Sequence, residues 1–337
     1  MNIIYKLFNE QFVKDLFKKK ILPKYPDFID IKKIKIQPHK KNIWETTYHV
    51  VIEFKTYFIT KSGKTKILPI FCSAHSNEPR KNVYHVLKFL WNNSFANGFL
   101  TIPHPLFYSN YFKATFYRGA QGNNLYYYIR NKNYEVIETL IPKTAAWFAK
   151  LHKLPTNNAC NFNKQNSRIK TVVPGKEHIL ADIQKQYPHY YQTYKTIYET
   201  LITMENKFMS STSNRWIIHG DAHPENIIKM GKKKIAVIDF TDMCLSDFAR
   251  DLGCFMQQLE YMCMRKINNA RYVQKIKDLF LETYLKNAKI KLDNSLSERI
   301  NNYYNWTAMR TATFFLIKHN PEPDRAKLLI KQLAINN

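Results

Sequence analysis

Between residues 217 and 240 the chain reads IIHGDAHPENIIKMGKKKIAVIDF, which sets His219, Asp221, His223, Glu225, Asn226 and Asp239 between short apolar runs. Such a set can hold a metal, move a proton or cap a turn. Asp239 and the amide oxygen of Asn226 are hard oxygen donors, the kind Mg²⁺ takes while keeping waters and binding substrate phosphates through its other positions. Asp221, five residues before Asn226, stands across the loop and can accept a proton from an incoming hydroxyl. The H-x-D-x-H spacing of His219, Asp221 and His223 also raises zinc. Against zinc, no cysteine or further histidine lies at ligand spacing, and Asn226 with Asp239 favours a harder ion. His219 reads better as a core residue bonded to the loop backbone.

The elements around these residues must place them. Trp216 to Ile218 predict a short buried strand, His219 to Asn226 a loop, Gly231 to Lys233 a turn, and Ile235 to Ile238 a second strand ending at Asp239. The expected arrangement is a hairpin that projects carboxylates from its ends. Upstream, residues 31–118 are mainly strand-like, with the KSGK turn joining two apolar runs as a hairpin. Within them a helix is expected from the caps Ser76 and Asn77, with Glu78 and Pro79 in its first turn and Val83, Val86, Leu87, Leu90 and Trp91 at helical spacing. Helices are expected over 138–155, 175–209, 247–264, 267–289, 294–318 and 323–334.

The start of the chain places Ile3, Ile4, Leu7, Phe8, Phe12, Val13, Leu16 and Phe17 on one helical face among lysines. We read it as a helix packed on the body of the protein rather than one lying in a membrane interface. No signal peptide or bilayer-spanning run is expected, which points to a soluble, cytoplasmic protein. Five scattered cysteines, Cys72, Cys160, Cys244, Cys254 and Cys263, form no C-x-x-C pair and suit a reducing compartment.

At 337 residues and 45% hydrophobic the chain is long enough for two lobes and excludes disorder. Its formal charge of +26 would draw polyanions, but the lysines are spread along the whole chain and no nucleic-acid module accompanies them. No nucleic acid partner is expected.

The run His219-Gly220-Asp221-Ala222-His223-Pro224-Glu225-Asn226, followed by Ile238-Asp239-Phe240, resembles the catalytic and metal-binding signature of the aminoglycoside phosphotransferase and choline kinase-like family, relatives of the protein kinases. Tyr117 to Gly122 with Leu125, the AAWFAKLHKL helix and DFARDLG at 247–253 follow in the same order, so the resemblance spans roughly residues 45 to 265. It implies an α+β, bilobal protein kinase-like fold, with a small β-rich N-terminal lobe (1–117), a hinge (118–124) and a larger, mainly helical C-terminal lobe (125–337). An ATP site between the lobes is implied with it. On this resemblance Asp221 orients or deprotonates an acceptor hydroxyl, Asn226 and Asp239 hold Mg²⁺ against the ATP phosphates, and Asp251 braces the catalytic loop. The implied function is ATP- and Mg²⁺-dependent transfer of the γ-phosphate to a small-molecule hydroxyl.

The sequence departs from that family in its small lobe. The strand that should carry a phosphate-gripping lysine reads ILPIFCSAHS, with Cys72 or Ser73 at the inward position. Glu78 then has no obvious partner, Lys66 or Lys55 are the substitutes nearby, and the expected phosphate loop PHKKNIWETT offers Lys40 and Lys41 instead of glycines. A catalytically weakened nucleotide- or ligand-binding protein is therefore the alternative. The acceptor is expected not to be an aminoglycoside, because a strongly basic chain repels polycations. Asp242, Asp247, Tyr303, Tyr304, Trp306 and Arg310 are candidates for acceptor contacts.

Overall fold

A computed structural model describes residues 2–78, 80–156 and 162–335. Contacts divide the chain into two compact units, one of Met1–Gly122 with Met230–Thr241, the other of Asn123–Lys229 with Asp242–Asn337.

In the first unit the single N-terminal helix expected from periodicity is two elements, a 3₁₀ turn over Ile3–Phe8 and α1 over Glu10–Lys20. Asn9 makes the break: its side-chain oxygen accepts the Phe12 N–H at 2.9 Å and caps the second helix. The strands are β1 (Phe28–Ile43), β2 (Tyr48–Thr60), β3 (Thr65–His75), β4 (Leu100–Thr101), β5 (His104–Ser109) and β6 (Ala114–Arg118). Five of them form an antiparallel sheet in the order β1-β2-β3-β6-β5. The β2–β3 hairpin closes through Gly63 at φ +76° and a Thr60 N–H to Lys64 carbonyl bond of 2.9 Å.

Alternation along β2 buries Val50, Ile52, Phe54 and Phe58 on one face, joined by Ile70, Cys72, Ala74 and Phe116 from the neighbouring strands. Helix α1 covers that face, with Phe17 edge-on to Phe54 at 5.3 Å and to Phe116 at 6.1 Å. Burying such a ring is worth roughly 1.5–3 kcal/mol. The amphipathic N-terminus therefore packs its apolar stripe on the sheet, as its spacing predicts.

Helix α2 runs over Lys81–Leu90 and starts later than its capping residues suggest. Ser76 is engaged elsewhere: its hydroxyl accepts the Tyr48 N–H at 3.1 Å and its carbonyl takes the Lys113 ammonium at 2.7 Å. It finishes the sheet instead of opening the helix.

The second unit contains α3 (Leu125–Arg130), α4 (Tyr134–His152), α5 (Lys176–Gln186) and α6 (Tyr191–Ser211). The helix expected unbroken over 175–209 is split by a 3₁₀ turn at Pro188–Tyr190, because proline lacks the N–H that would continue the ladder. Then come β7 (Trp216–Ile218), β8 (Ile227–Lys229), β9 (Ile235–Val237), β10 (Cys244–Ser246), α7 (Ala249–Lys266), α8 (Ala270–Ala288), α9 (Asn294–Ile317) and α10 (Pro323–Ile335). β9 belongs to the first unit and pairs in parallel with β4. The partner of β7 is β10, Ile218 opposite Cys244, a strand that the sequence reading missed.

Cys72, Cys244, Cys254 and Cys263 are free thiols, all buried, while Cys160 lies outside the described residues. Among the described residues no helix is long and apolar enough to cross a membrane.

Candidate active site

The loop after β7 is held from beneath by Asp251, in the first turn of α7. The Asp251 carboxylate is wholly buried and accepts the backbone N–H groups of His219 at 2.7 Å and Gly220 at 2.9 Å. Its Oδ2 also lies 3.0 Å from Nε2 of His152, whose Nδ1 is 2.8 Å from the Tyr284 hydroxyl. Burial alone would raise the Asp251 pKa, but the His152 hydrogen bond and nearby imidazole charges outweigh it and hold the carboxyl below its ordinary value.

Two further contacts fix the loop. The buried Arg250 guanidinium donates to the Gly220 carbonyl at 3.2 Å and to the Asn166 carbonyl, and it lies 4.7 Å from the centre of the Trp306 ring. Gly220 itself sits at φ +83°, where a Cβ would come within 2.4 Å of the Asp242 carbonyl oxygen. Only glycine fits this turn. His219 is fully buried between Trp147 and Phe148, and its Nδ1 accepts the Asp221 N–H at 3.3 Å. It is the core residue that the sequence suggested.

Asp221 follows with a side chain 38% exposed, its Oδ2 3.4 Å from Nε2 of His223. Desolvation works to raise its pKa, but the His223 hydrogen bond and charge, with Arg310 and His219 behind them, hold the carboxyl far below the usual carboxylate range. Asn226 ends the 3₁₀ turn Pro224–Asn226 and is 5% exposed. Its amide nitrogen donates to the Asp221 carbonyl at 3.0 Å, and His223 Nε2 lies 3.0 Å from the same nitrogen. That orientation leaves the amide oxygen as the group available to a hard cation. Asp221 and Asn226 are thus brought together in the second unit.

Asp239, in the first unit, is exposed and adopts φ +64°, a left-handed conformation costly for a residue with a Cβ. Its Oδ1 accepts the Thr241 hydroxyl at 2.9 Å. The Asn226 amide oxygen and the Asp239 carboxylate are each hard oxygen donors, a kind that suits Mg²⁺ better than zinc. Among the described residues no group of three or more His, Cys, Asp or Glu is arranged to hold a metal ion.

On the small-lobe strand, Cys72 faces the α1 side of the sheet, fully buried, and burial pushes its thiol pKa far up. Ser73 faces the opposite side with Phe71, which stacks on His39 at 5.6 Å and on Tyr117 at 5.8 Å. Lys66 lies over Phe28 on the α1 side, so it cannot serve the Phe71 face. The cation that sequence reasoning overlooked is Arg80, at the start of α2, 9% exposed. Its Nε has no hydrogen-bond partner, and its nearest carboxylate is the exposed Glu78 at 3.7 Å. The Tyr117 phenol, raised first by burial and then by the Asp239 charge, is pulled the other way by Arg80. His49 is lowered to about 4 by burial and then by Lys40, His75 and Arg80. Lys40 and Arg80 thus both act on His49, and Arg80 and Asp239 both act on Tyr117. The only sequence signal for Arg80 was its place after Glu78-Pro79 at a helix start.

The six acceptor candidates separate. Asp247 is buried against Arg299 at 2.5 Å, Asp242 accepts the Asn166 amide at 2.5 Å, and Tyr303 donates to Glu205 at 3.1 Å. Tyr304 lines a cavity among α7, α9 and α10. Trp306 and Arg310 share a different cavity in the second unit.

A family model described as the phosphotransferase enzyme family matches residues 49–286, well over half of the chain. The chain belongs to that family. Comparison with curated proteins finds no match. Among solved structures, a spectinomycin phosphotransferase in complex with ADP and spectinomycin is 14% identical, with a TM-score of 0.55 over 97% of this chain and 98% of that one. A Plasmodium vivax ethanolamine kinase is also 14% identical, with a TM-score of 0.55 over 89% of this chain and 81% of that one. An amicoumacin kinase in complex with AMP-PNP, Ca²⁺ and its antibiotic is 13% identical, with a TM-score of 0.55 over 89% and 90%. The α+β, kinase-like fold expected from the sequence is the fold found, and family and fold together make this a kinase-type phosphotransferase.

Proposed function

We propose that the protein transfers the γ-phosphoryl group of ATP to a hydroxyl of a small molecule, with Asp221 as the catalytic base and Asn226 and Asp239 holding Mg²⁺. The observation that carries this reading is the loop from His219 to Asn226, clamped at its backbone by Asp251 and Arg250, which presents the Asp221 carboxylate, paired with His223, and the Asn226 amide oxygen together. Phosphoryl transfer asks for such positioning more than for covalent chemistry.

Asp221 accepts the acceptor hydroxyl's hydrogen bond and so aims its oxygen. The oxygen then bonds to the γ-phosphorus as the bond to ADP breaks, and the proton passes to Asp221. A carboxylate held well below its ordinary pKa is a weak base, so it orients first and takes the proton late. Mg²⁺, when bound, supplies charge neutralisation on the phosphates. Arg80 and Lys40 are assigned to the same anion on the Phe71 face of the sheet, in the role for which β3 has no lysine on that face. The buried free thiols support a reducing, cytoplasmic setting.

The test is Mg²⁺·ATP binding and turnover with a panel of alcohols. Asp221→Ala should keep nucleotide affinity and lose transfer by about 10²–10⁴-fold, whereas Asp239→Ala should weaken Mg²⁺-dependent nucleotide binding. The weakened-binder reading draws on the absence of a lysine from the inward position of β3, at Cys72 or Ser73, since the strand's Lys66 lies over Phe28 instead. Mg²⁺-dependent turnover that vanishes in Asp221→Ala would remove it, and nucleotide binding without turnover would establish it.

A further inference from the structure

The cavity that contains Trp306 and Arg310 has a volume of about 260 Å³ and lies wholly in the second unit, between the 169–174 segment, α5, α6 and α9. Its walls are Ile169, Val172, Ile179 and Ile317, and its rim carries Val173 and Phe314, 56% and 59% exposed. Exposed apolar groups around an apolar hollow call for an apolar occupant.

Its polar groups are one-sided. The lining includes Arg310 and Lys318 and no carboxylate. The Lys318 ammonium is taken by Glu322. Among the described residues Arg310 makes no salt bridge, and its guanidinium lies 4.9 Å from the centre of the Trp306 ring. A half-buried guanidinium facing a hollow without a carboxylate is a site for an anion.

The cavity is also tied to the catalytic loop. The Trp306 ring that carries Arg310 carries Arg250 as well, and Arg250 donates to the Gly220 carbonyl next to Asp221. Arg250 and Cys244 both donate to the Asn166 carbonyl, at the root of the segment that walls the cavity. That segment is pinned again at Ile169, whose N–H goes to the buried Glu205 at 3.0 Å. Wall and loop form one braced body.

We infer that this cavity receives the phosphate acceptor, and that the acceptor is a small hydroxyl compound with an apolar or aromatic body and one anionic group bound by Arg310. The inference rests on the phosphotransferase reading and narrows it. The volume lies below the roughly 300–1,000 Å³ of drug-sized sites, so the part of the acceptor that enters is small. A polycationic acceptor meets Arg310 and no lining carboxylate here.

The test uses benzyl alcohol, cyclohexylmethanol and hexan-1-ol, each carrying a carboxylate, a carboxamide or an amine at the end remote from the hydroxyl. Binding is titrated to the full chain saturated with Mg²⁺ and a non-hydrolysable ATP analogue, and transfer is measured with ATP. The carboxylate forms should bind at least about tenfold tighter than the amides, with the amines weakest. In Arg310→Gln that preference should shrink to within about twofold, and Arg310→Lys should restore part of it. Urea midpoints and retained nucleotide affinity establish that each variant is folded. Equal binding of the three forms, tighter binding of the amines, no binding of any form, or a carboxylate preference that survives Arg310→Gln would overturn the inference. Failure of the nucleotide titration itself would overturn the phosphotransferase reading instead, while a carboxylate preference dependent on Arg310 would still establish the anion site.

Discussion

The Asp251 carboxylate and the His219 backbone N–H, 32 residues apart in sequence, are joined by a buried hydrogen bond of 2.7 Å. The neighbouring Gly220 N–H takes the other carboxylate oxygen. Asp251→Asn replaces one acceptor by a donor that faces an N–H, so it should cost at least about 2 kcal/mol of stability and loosen the loop that carries Asp221. Urea unfolding measures the first effect and transfer rate the second; an unchanged midpoint would refute the bracing role.

The same carboxyl sets a pH dependence. Its folded pKa lies below that of an unfolded aspartate, about 3.9, so the unfolded chain binds the proton first on acidification. The stabilisation is fully present above that unfolded value and is lost as pH falls through the folded one. Between pH 6 and pH 3 wild type should therefore lose more unfolding free energy than Asp251→Asn, as read from urea titrations at each pH.

Gly220→Ala should be more damaging than an ordinary loop substitution. The new methyl would stand 2.4 Å from a backbone carbonyl, and φ +83° is strained for any L side chain. Loss of about 1–3 kcal/mol is expected, with transfer activity falling further than stability because Asp221 is the next residue. Near-wild-type transfer by a folded Gly220→Ala protein would count against the proposed geometry.

Arg80→Ala should raise KM for ATP about tenfold or more while leaving acceptor KM nearly unchanged, as expected when a charge-assisted contact to phosphate is lost. Lys40→Ala should act in the same direction with a smaller effect, since Lys40 is exposed. A change confined to acceptor KM would place Arg80 elsewhere in the reaction.

Spacing was enough to single out Asp221, Asn226 and Asp239 as candidates, because the proposed chemistry requires those residue types within one loop and the strand after it. It was also enough for α7 to α10, whose apolar stripes recur over many turns. The misses were local or long-range. Asn9 divides the N-terminal helix through one side-chain bond that periodicity does not register. Ser76 has the composition of a helix cap, but it bonds Tyr48 across the sheet. β10 is a three-residue strand visible only through its pairing with β7. Arg80 and the Arg310 cavity depend on burial and on how charges pair after folding, and that is a property of the folded chain.

Trp306 carries Arg250 and Arg310 over a single indole ring. Under the proposed roles of Arg310 and the Asp221 loop, selectivity and catalytic rigidity draw on the same side chain, and a change there alters both at once. A lineage or a designer seeking a new acceptor would have to work at the exposed rim, at Val173 and Phe314, where a side chain can be exchanged without disturbing the loop that does the chemistry.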